Sequence, residues 1–295
     1  MNSSIRSLLD NGPVLTDGAW GTQLQERGLQ FGDCPDAWNL TNPDRVAEVA
    51  AAYAEAGSRV ILTNTFRANR IALEGYGLAD RTSEINAAGV AISRRGAAGR
   101  ASVFASIGPS GKMLAAEEVT EAALLEAFAE QASALAAAGA DALVIETMSD
   151  LNEAILAIRA AKPTGLPVIA CMVYDTGRSR DRTMMGTTPE QAAADLTAAG
   201  ADVIGANCGC GIEGYLAISR RLHSATSLPI WIKANAGLPE VVDGKAIYRM
   251  QAAEFAAHCM TLRSEGASFI GGCCGTSPAF IRAVSERLTE AARCA

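Results

Sequence analysis

Short apolar runs alternate with longer amphipathic stretches along the whole chain, and one phrase recurs where they meet. Its four copies are Ala56-Gly57-Ser58-Arg59-Val60-Ile61-Leu62, Ala138-Gly139-Ala140-Asp141-Ala142-Leu143-Val144, Ala199-Gly200-Ala201-Asp202-Val203-Ile204-Gly205 and Glu265-Gly266-Ala267-Ser268-Phe269-Ile270-Gly271. In each, a glycine suited to the left-handed position just past a helix precedes an apolar run suited to a strand buried on both faces. Filling in between them predicts strands at Val14–Asp17, Val60–Asn64, Val103–Ile107, Ala142–Glu146, Val168–Val173, Val203–Asn207, Ile230–Ala234 and Phe269–Gly272. Helical stretches follow at Asp44–Ala56, Ser83–Ala97, Val119–Ala138, Leu151–Ala161, Pro189–Ala199, Glu213–Ser224, Ala252–Glu265 and Pro278–Ala292. In the third of these Val119, Ala122, Leu125, Phe128, Ala132 and Leu135 recur at helical spacing and predict its buried stripe.

Strict alternation of eight strands with eight helices over residues 1–295 predicts a single α/β domain, a (β/α)8 TIM barrel. A doubly wound open sheet is the competing architecture. The barrel places chemistry at the C-terminal ends of its strands. The residues there are Asp17, Asn64 with Thr65, Glu146 with Thr147, Asn207 with Cys208, Asn235, and Cys273 with Cys274. All would converge on one mouth.

Composition narrows the partners. A net charge of -7 and a pI near 5.0, with Lys and Arg scattered, argue against a nucleic-acid surface. Met1 to Gly12 lacks the apolar core of a secretory signal, and no stretch approaches the roughly 18 apolar residues of a membrane span. The expectation is a soluble, cytoplasmic protein. The eight cysteines are then metal ligands, reactive groups or buried thiols rather than a disulfide frame. Only two histidines occur, His223 and His258, and both fall in predicted helices. This excludes a histidine-rich metal site and leaves the mouth without a histidine base.

Gly271-Gly272-Cys273-Cys274-Gly275-Thr276 puts adjacent thiols just past the eighth strand, and Cys208 follows the sixth. Closed into a barrel, the three would rise from one rim. Three thiolates with one open position are the ligand set of a catalytic zinc ion. Sulfur softness excludes magnesium or calcium. Two other arrangements remain open: Cys210 could complete a closed four-cysteine site, or the thiols could be buried without metal. Cys34, Cys171, Cys259 and Cys294 are read as structural. Gly209-Cys210-Gly211-Ile212-Glu213-Gly214 spells a dinucleotide fingerprint, but the next strand ends Trp231-Ile232-Lys233-Ala234-Asn235 without the ribose-binding acid. Gly108-Pro109-Ser110-Gly111-Lys112 lacks the first glycine and the final Ser or Thr of a phosphate loop. Asp17 and Glu146 are the acids of the mouth, suited to a substrate ammonium group or to a barrel-lining role.

Asp17-Gly18-Ala19-Trp20-Gly21-Thr22, Thr63-Asn64-Thr65-Phe66, Glu146-Thr147, Gly205-Ala206-Asn207-Cys208, Asn235-Ala236-Gly237-Leu238-Pro239 and the double-cysteine run together resemble the homocysteine S-methyltransferase family. Asn39-Leu40-Thr41-Asn42-Pro43 and the Asn235 stretch draw the likeness toward the homocysteine-binding barrel of cobalamin-dependent methionine synthase. The resemblance implies zinc on Cys208, Cys273 and Cys274, with Asn235 as a fourth ligand when substrate is absent. It implies substrate contacts from Asp17, Gly18, Ala19, Thr65, Glu146 and Asn207, and transfer of a methyl group to the homocysteine thiolate, giving methionine. With no room after the barrel for the other modules of methionine synthase, the donor is expected to be a small sulfonium or ammonium compound, or a methyl-corrinoid on a separate protein. A corrinoid-linked demethylation pathway with another acceptor is the alternative. Trp20 and Trp38 are candidates for stacking on a cationic donor or for lid packing. The charged segment 174–186 reads as a lid, a docking surface or a solvated loop.

Overall fold

The computed structural model describes residues 2–242 and 245–293, so Cys294 lies outside the described residues. Eight parallel strands form the sheet: β1 (Val14–Leu15), β2 (Val60–Leu62), β3 (Ser102–Ile107), β4 (Ala142–Met148), β5 (Val168–Met172), β6 (Val203–Gly211), β7 (Ile230–Asn235) and β8 (Ala267–Gly272). Each pairs with its sequence neighbours, β8 returns to β1, and a Thr16–Val60 bridge links β1 to β2. The circle is therefore that of a (β/α)8 barrel, not of an open sheet.

Eight helices cover it: α1 (Pro43–Glu55), α2 (Thr82–Ala97), α3 (Glu121–Ala137), α4 (Leu151–Ala161), α5 (Pro189–Ala199), α6 (Ile212–Ala225), α7 (Ala252–Ser264) and α8 (Pro278–Arg293). Gly57, Gly139, Gly200 and Gly266, the glycines of the repeated phrase, all adopt positive φ between helix and strand. The buried stripe of α3 differs from the periodicity reading. Leu124, Ala127, Phe128, Gln131, Ala132 and Leu135 are buried, Leu125 is exposed, and the helix starts after its Thr120 cap. An alanine-rich helix fits several apolar stripes, so packing selects the stripe. A two-stranded ribbon, Glu240–Val242 with Lys245–Ile247, was also not legible in the pattern.

Alternation along the strands sorts the core into two layers. Ile61, Ala105, Leu143, Ile145 and Ile232 pack outward with the helices. Val60, Leu62, Phe104, Val144, Ile169, Val203, Trp231 and Phe269 fill the barrel, joined by Ile5 of a short first helix, Ser3–Leu9. Trp231 stacks between Phe104 and Phe269, with centroids at 6.2 and 5.2 Å. A Cβ on Gly205 would collide with the Trp231 main chain, so the glycine makes room there. Continuing two residues at a time, Phe104 leads to Ser106, Val144 to Glu146, Gly205 to Asn207, and Trp231 to Lys233 and Asn235. The apolar plug thus becomes polar toward the C-terminal end. Among the described residues, no helix is long and apolar enough to cross a membrane.

Candidate active site

Two irregularities shape the C-terminal end of the barrel. The β6–β7 register slips between Cys208 and Gly211, and Cys208 sits at φ 62°. The β4–β5 register slips between Ile145 and Met148, and Thr147 sits at φ 61°. Bulges of this kind re-aim side chains, and non-glycine residues at positive φ need surrounding structure to hold them there. Asn207 provides it. Its Oδ1 accepts from the Thr147 N–H at 2.7 Å, and its Nδ2 donates to Thr147 Oγ1 at 2.7 Å and to Glu146 Oε2 at 3.2 Å.

Cys208 thereby meets the two cysteines past β8. Their turn is anchored by the Cys273 N–H on Ala234 O at 2.7 Å and by Ala236 N–H on Cys274 O at 3.0 Å. All three Sγ atoms lie within 4.8 Å of one another, with Cys208 and Cys274 at 3.9 Å, and all are free thiols. Hydrogen bonds from Cys273 and Cys274 draw the Cys208 thiol well below its ordinary range, while bonding to Cys208 pushes the Cys273 and Cys274 thiols up. Cys210 points elsewhere: it is buried, and its sulfur packs where a side chain on Gly214 would stand. Burial pushes its thiol up to about 11. The geometry brings together three sulfurs, without Cys210 as a fourth. Asn235, beside Cys208, donates Nδ2 to Gly209 O at 3.0 Å, and its buried Oδ1 has no partner among the described residues. Three soft sulfurs with an unpaired amide oxygen nearby are a donor set that fits zinc.

A cavity of about 310 Å³ opens beside the sulfurs. Gly18, Ala19, Trp20, Asp36, Phe66, Arg67, Ser106, Glu146, Asn207 and Lys233 line it with the three cysteines. Glu146 is buried and accepts from Ser106 Oγ at 2.5 Å. Burial pushes its carboxyl up, and the nearby Lys233 charge works against that.

Asp17 is not the second free carboxylate of the mouth. It forms an ion pair with Lys233, and Oδ2 accepts from Trp20 Nε1 at 2.7 Å and from Leu62 N–H at 2.8 Å. The main chain beside it is also engaged: Ala19 N–H donates to Thr276 Oγ1 at 3.1 Å, and Ala19 O accepts from Tyr53 Oη at 2.7 Å. Gly18 has no room for a side chain, since a Cβ would meet Tyr53 Oη and Thr276 Oγ1. Thr65 is buried outside the cavity and donates to Ser106 O at 2.7 Å. It supports the wall rather than lining it.

Sequence reasoning passed over Lys233 and Ser106. Their parity was the available signal, since Lys233 shares a strand face with Trp231 and Asn235. Trp20 lines the cavity, whereas Trp38 packs against the helix-side core. In the 174–186 segment, Thr176 pairs with Arg182 and Asp181 binds Arg221 of α6 at 2.6 Å. His223 packs under Gly266, and His258 lies near Glu213 and Glu254 on the outer helices. Neither histidine lines the cavity.

The sequence matches the profile of the family described as Homocysteine S-methyltransferase over residues 14–288. It is 31% identical over 308 residues to the methionine synthase of Mycobacterium tuberculosis, covering 99% of this chain and 26% of that protein. The methionine synthase of Mycobacterium leprae is 32% identical over 297 residues, covering 95% and 24%. The chain thus spans about a quarter of the length of these curated relatives. Among solved structures, the metallated form of the Escherichia coli homocysteine methyltransferase MmuM superposes with a TM-score of 0.81 at 26% identity, covering 96% of this chain and 99% of that one.

Proposed function

The chain belongs to the homocysteine S-methyltransferase family and is a methyltransferase, and on that premise we propose that it methylates the sulfur of homocysteine, giving methionine, with zinc held by Cys208, Cys273 and Cys274. The observation that carries this reading is the meeting of three free thiols at the edge of a cavity whose wall holds the buried carboxylate Glu146. A substrate with a thiol at one end and an ammonium group at the other matches that pair. Asn235 would help hold the ion when no substrate thiol is present, in keeping with its unpaired Oδ1.

When bound, zinc would supply ionisation of the acceptor thiol, which with a free pKa near 8.5 is only a few per cent thiolate at pH 7. The protein supplies placement. Glu146, oriented by Ser106 and Asn207, accepts the substrate ammonium. Trp20 and Phe66 give the cavity wall apolar surface. The sulfur then forms its bond to the methyl carbon as the donor bond to nitrogen, sulfur or cobalt breaks, its electron pair leaving with the donor. No protein base is needed once the thiol is ionised, consistent with a cavity that has no histidine among its lining residues. Holding the partners in line provides much of the rate.

The donor is a small sulfonium or quaternary ammonium compound, or a methyl-corrinoid. Incubating zinc-loaded enzyme and homocysteine with S-methylmethionine, a betaine and a methylated corrinoid, in turn, tests the proposal. Methionine is expected from one of them. Methionine from none overturns the reading, and methyl transfer from the corrinoid only to another thiol establishes the demethylation role instead.

A further inference from the structure

Lys233 is 2% exposed, yet it lines the cavity. Taking a lysine out of water is costly unless its charge is compensated, and Asp17 supplies that compensation. An ammonium group has three donors. Among the described residues Asp17 is the hydrogen-bond partner of Lys233, so the ammonium group keeps donor capacity on a side chain that lines the cavity. In the main chain beside Asp17, the Ala19 N–H and carbonyl are both engaged internally. A carboxylate entering the cavity therefore finds a buried cation already oriented by Asp17.

We infer that Lys233 selects acceptor thiols that carry a carboxylate, binding that group while Glu146 takes the ammonium. The inference deepens the reading above, on which it rests for the identity of the site. Asp17 becomes a positioning residue that orients Lys233 and does not itself meet the substrate.

Calorimetric binding to zinc-loaded enzyme tests this without any methyl donor. The probes are homocysteine, 3-aminopropanethiol, which lacks the carboxylate, and 4-mercaptobutyrate, which lacks the ammonium. A charged hydrogen bond of about 1.5–3 kcal/mol corresponds to roughly 10–150-fold, so wild-type enzyme should bind 3-aminopropanethiol weaker than homocysteine by that factor. In Lys233→Met the ratio should collapse to within about threefold, with zinc content unchanged. Because this change leaves Asp17 buried without its partner, the Asp17→Asn/Lys233→Met double variant is measured beside it and should show the same collapse. A carboxylate preference that survives in the folded variants overturns the inference, and so does wild-type enzyme that binds none of the thiols. If the preference behaves as expected but no donor yields methionine, the Lys233 assignment stands and the proposed reaction falls. If methionine forms and the preference is unmoved, the reverse holds.

Discussion

Asn207 clasps Thr147 at both ends of its amide, accepting the Thr147 N–H at 2.7 Å and donating to Thr147 Oγ1 at 2.7 Å. The bonds join the bulges of β4 and β6, so one side chain fixes both the Glu146 carboxylate and the backbone that aims Cys208. Asn207→Ala would orphan a main-chain donor in a partly buried, strained turn. Such a group costs about 1–3 kcal/mol, and a loss of that size in denaturant stability is expected. Zinc affinity and homocysteine affinity should fall together. A variant that lost one without the other would show that the clasp does not couple the two sides.

The three sulfurs should bind about one zinc ion per chain, as measured by metal analysis under reducing conditions. Replacing a residue that merely orients a metal ligand costs about 10–100-fold in affinity, so loss of a ligand in Cys208→Ser, Cys273→Ser or Cys274→Ser should exceed roughly 100-fold against a competing chelator. Cys210→Ser should leave zinc in place, because that sulfur faces Gly214 instead. Retention of zinc by all three ligand variants would remove the metal from the trio.

Much of this arrangement could be seen in the chain. The four repeated helix-to-strand phrases demanded left-handed glycines, and Gly57, Gly139, Gly200 and Gly266 supply them. Placing Cys208 after the sixth strand and the cysteine pair after the eighth brought the sulfurs to one rim. The charge pairing stayed hidden, because a lone Lys233 in an apolar run gives no sign that its partner is Asp17, 216 residues away. Asp17 and Glu146 looked equivalent at two strand ends, and only the contacts distinguish the carboxylate engaged by Lys233, Trp20 and Leu62 from the one facing the cavity. Nor does composition announce the bulges. Cys208 lies inside a strand that runs on to Gly211, and its aim depends on a register slip that no spacing rule predicts.

Glu146→Gln removes the charge offered to a substrate ammonium but keeps a group of similar shape. Homocysteine binding should weaken about 10–150-fold, the worth of a charged hydrogen bond, while zinc content stays constant. The carboxyl is pushed up by burial, and its ionised form is the one that accepts an ammonium group. Homocysteine affinity in the wild type should therefore decline, as pH falls, from a higher pH than an exposed glutamate would produce. Calorimetry across pH is the measurement. Glu146→Gln should lose that part of the profile, and equal slopes in both proteins would reassign the acid.

Asp36 makes the cavity wall a source of pH-dependent stability. Its carboxyl is buried, accepts the Arg67 N–H at 3.0 Å, and is pushed by burial from 3.8 to about 6. Folded protein therefore holds the proton more tightly than unfolded chain between those values, so this group favours folding fully below pH 3.8 and loses that contribution as pH rises through about 6. At about 1.4 kcal/mol per pH unit, the loss relative to a group that does not titrate is about 3 kcal/mol. Asp36→Asn keeps an oxygen for the Arg67 N–H and cannot ionise. Subtracting its denaturant stability from that of the wild type isolates the contribution from the other acids of the chain. The difference should turn progressively against the wild type from pH 4 to pH 7, leaving Asp36→Asn the more stable protein at neutral pH. A difference that does not change with pH would mean that Asp36 titrates as an ordinary carboxyl despite its burial.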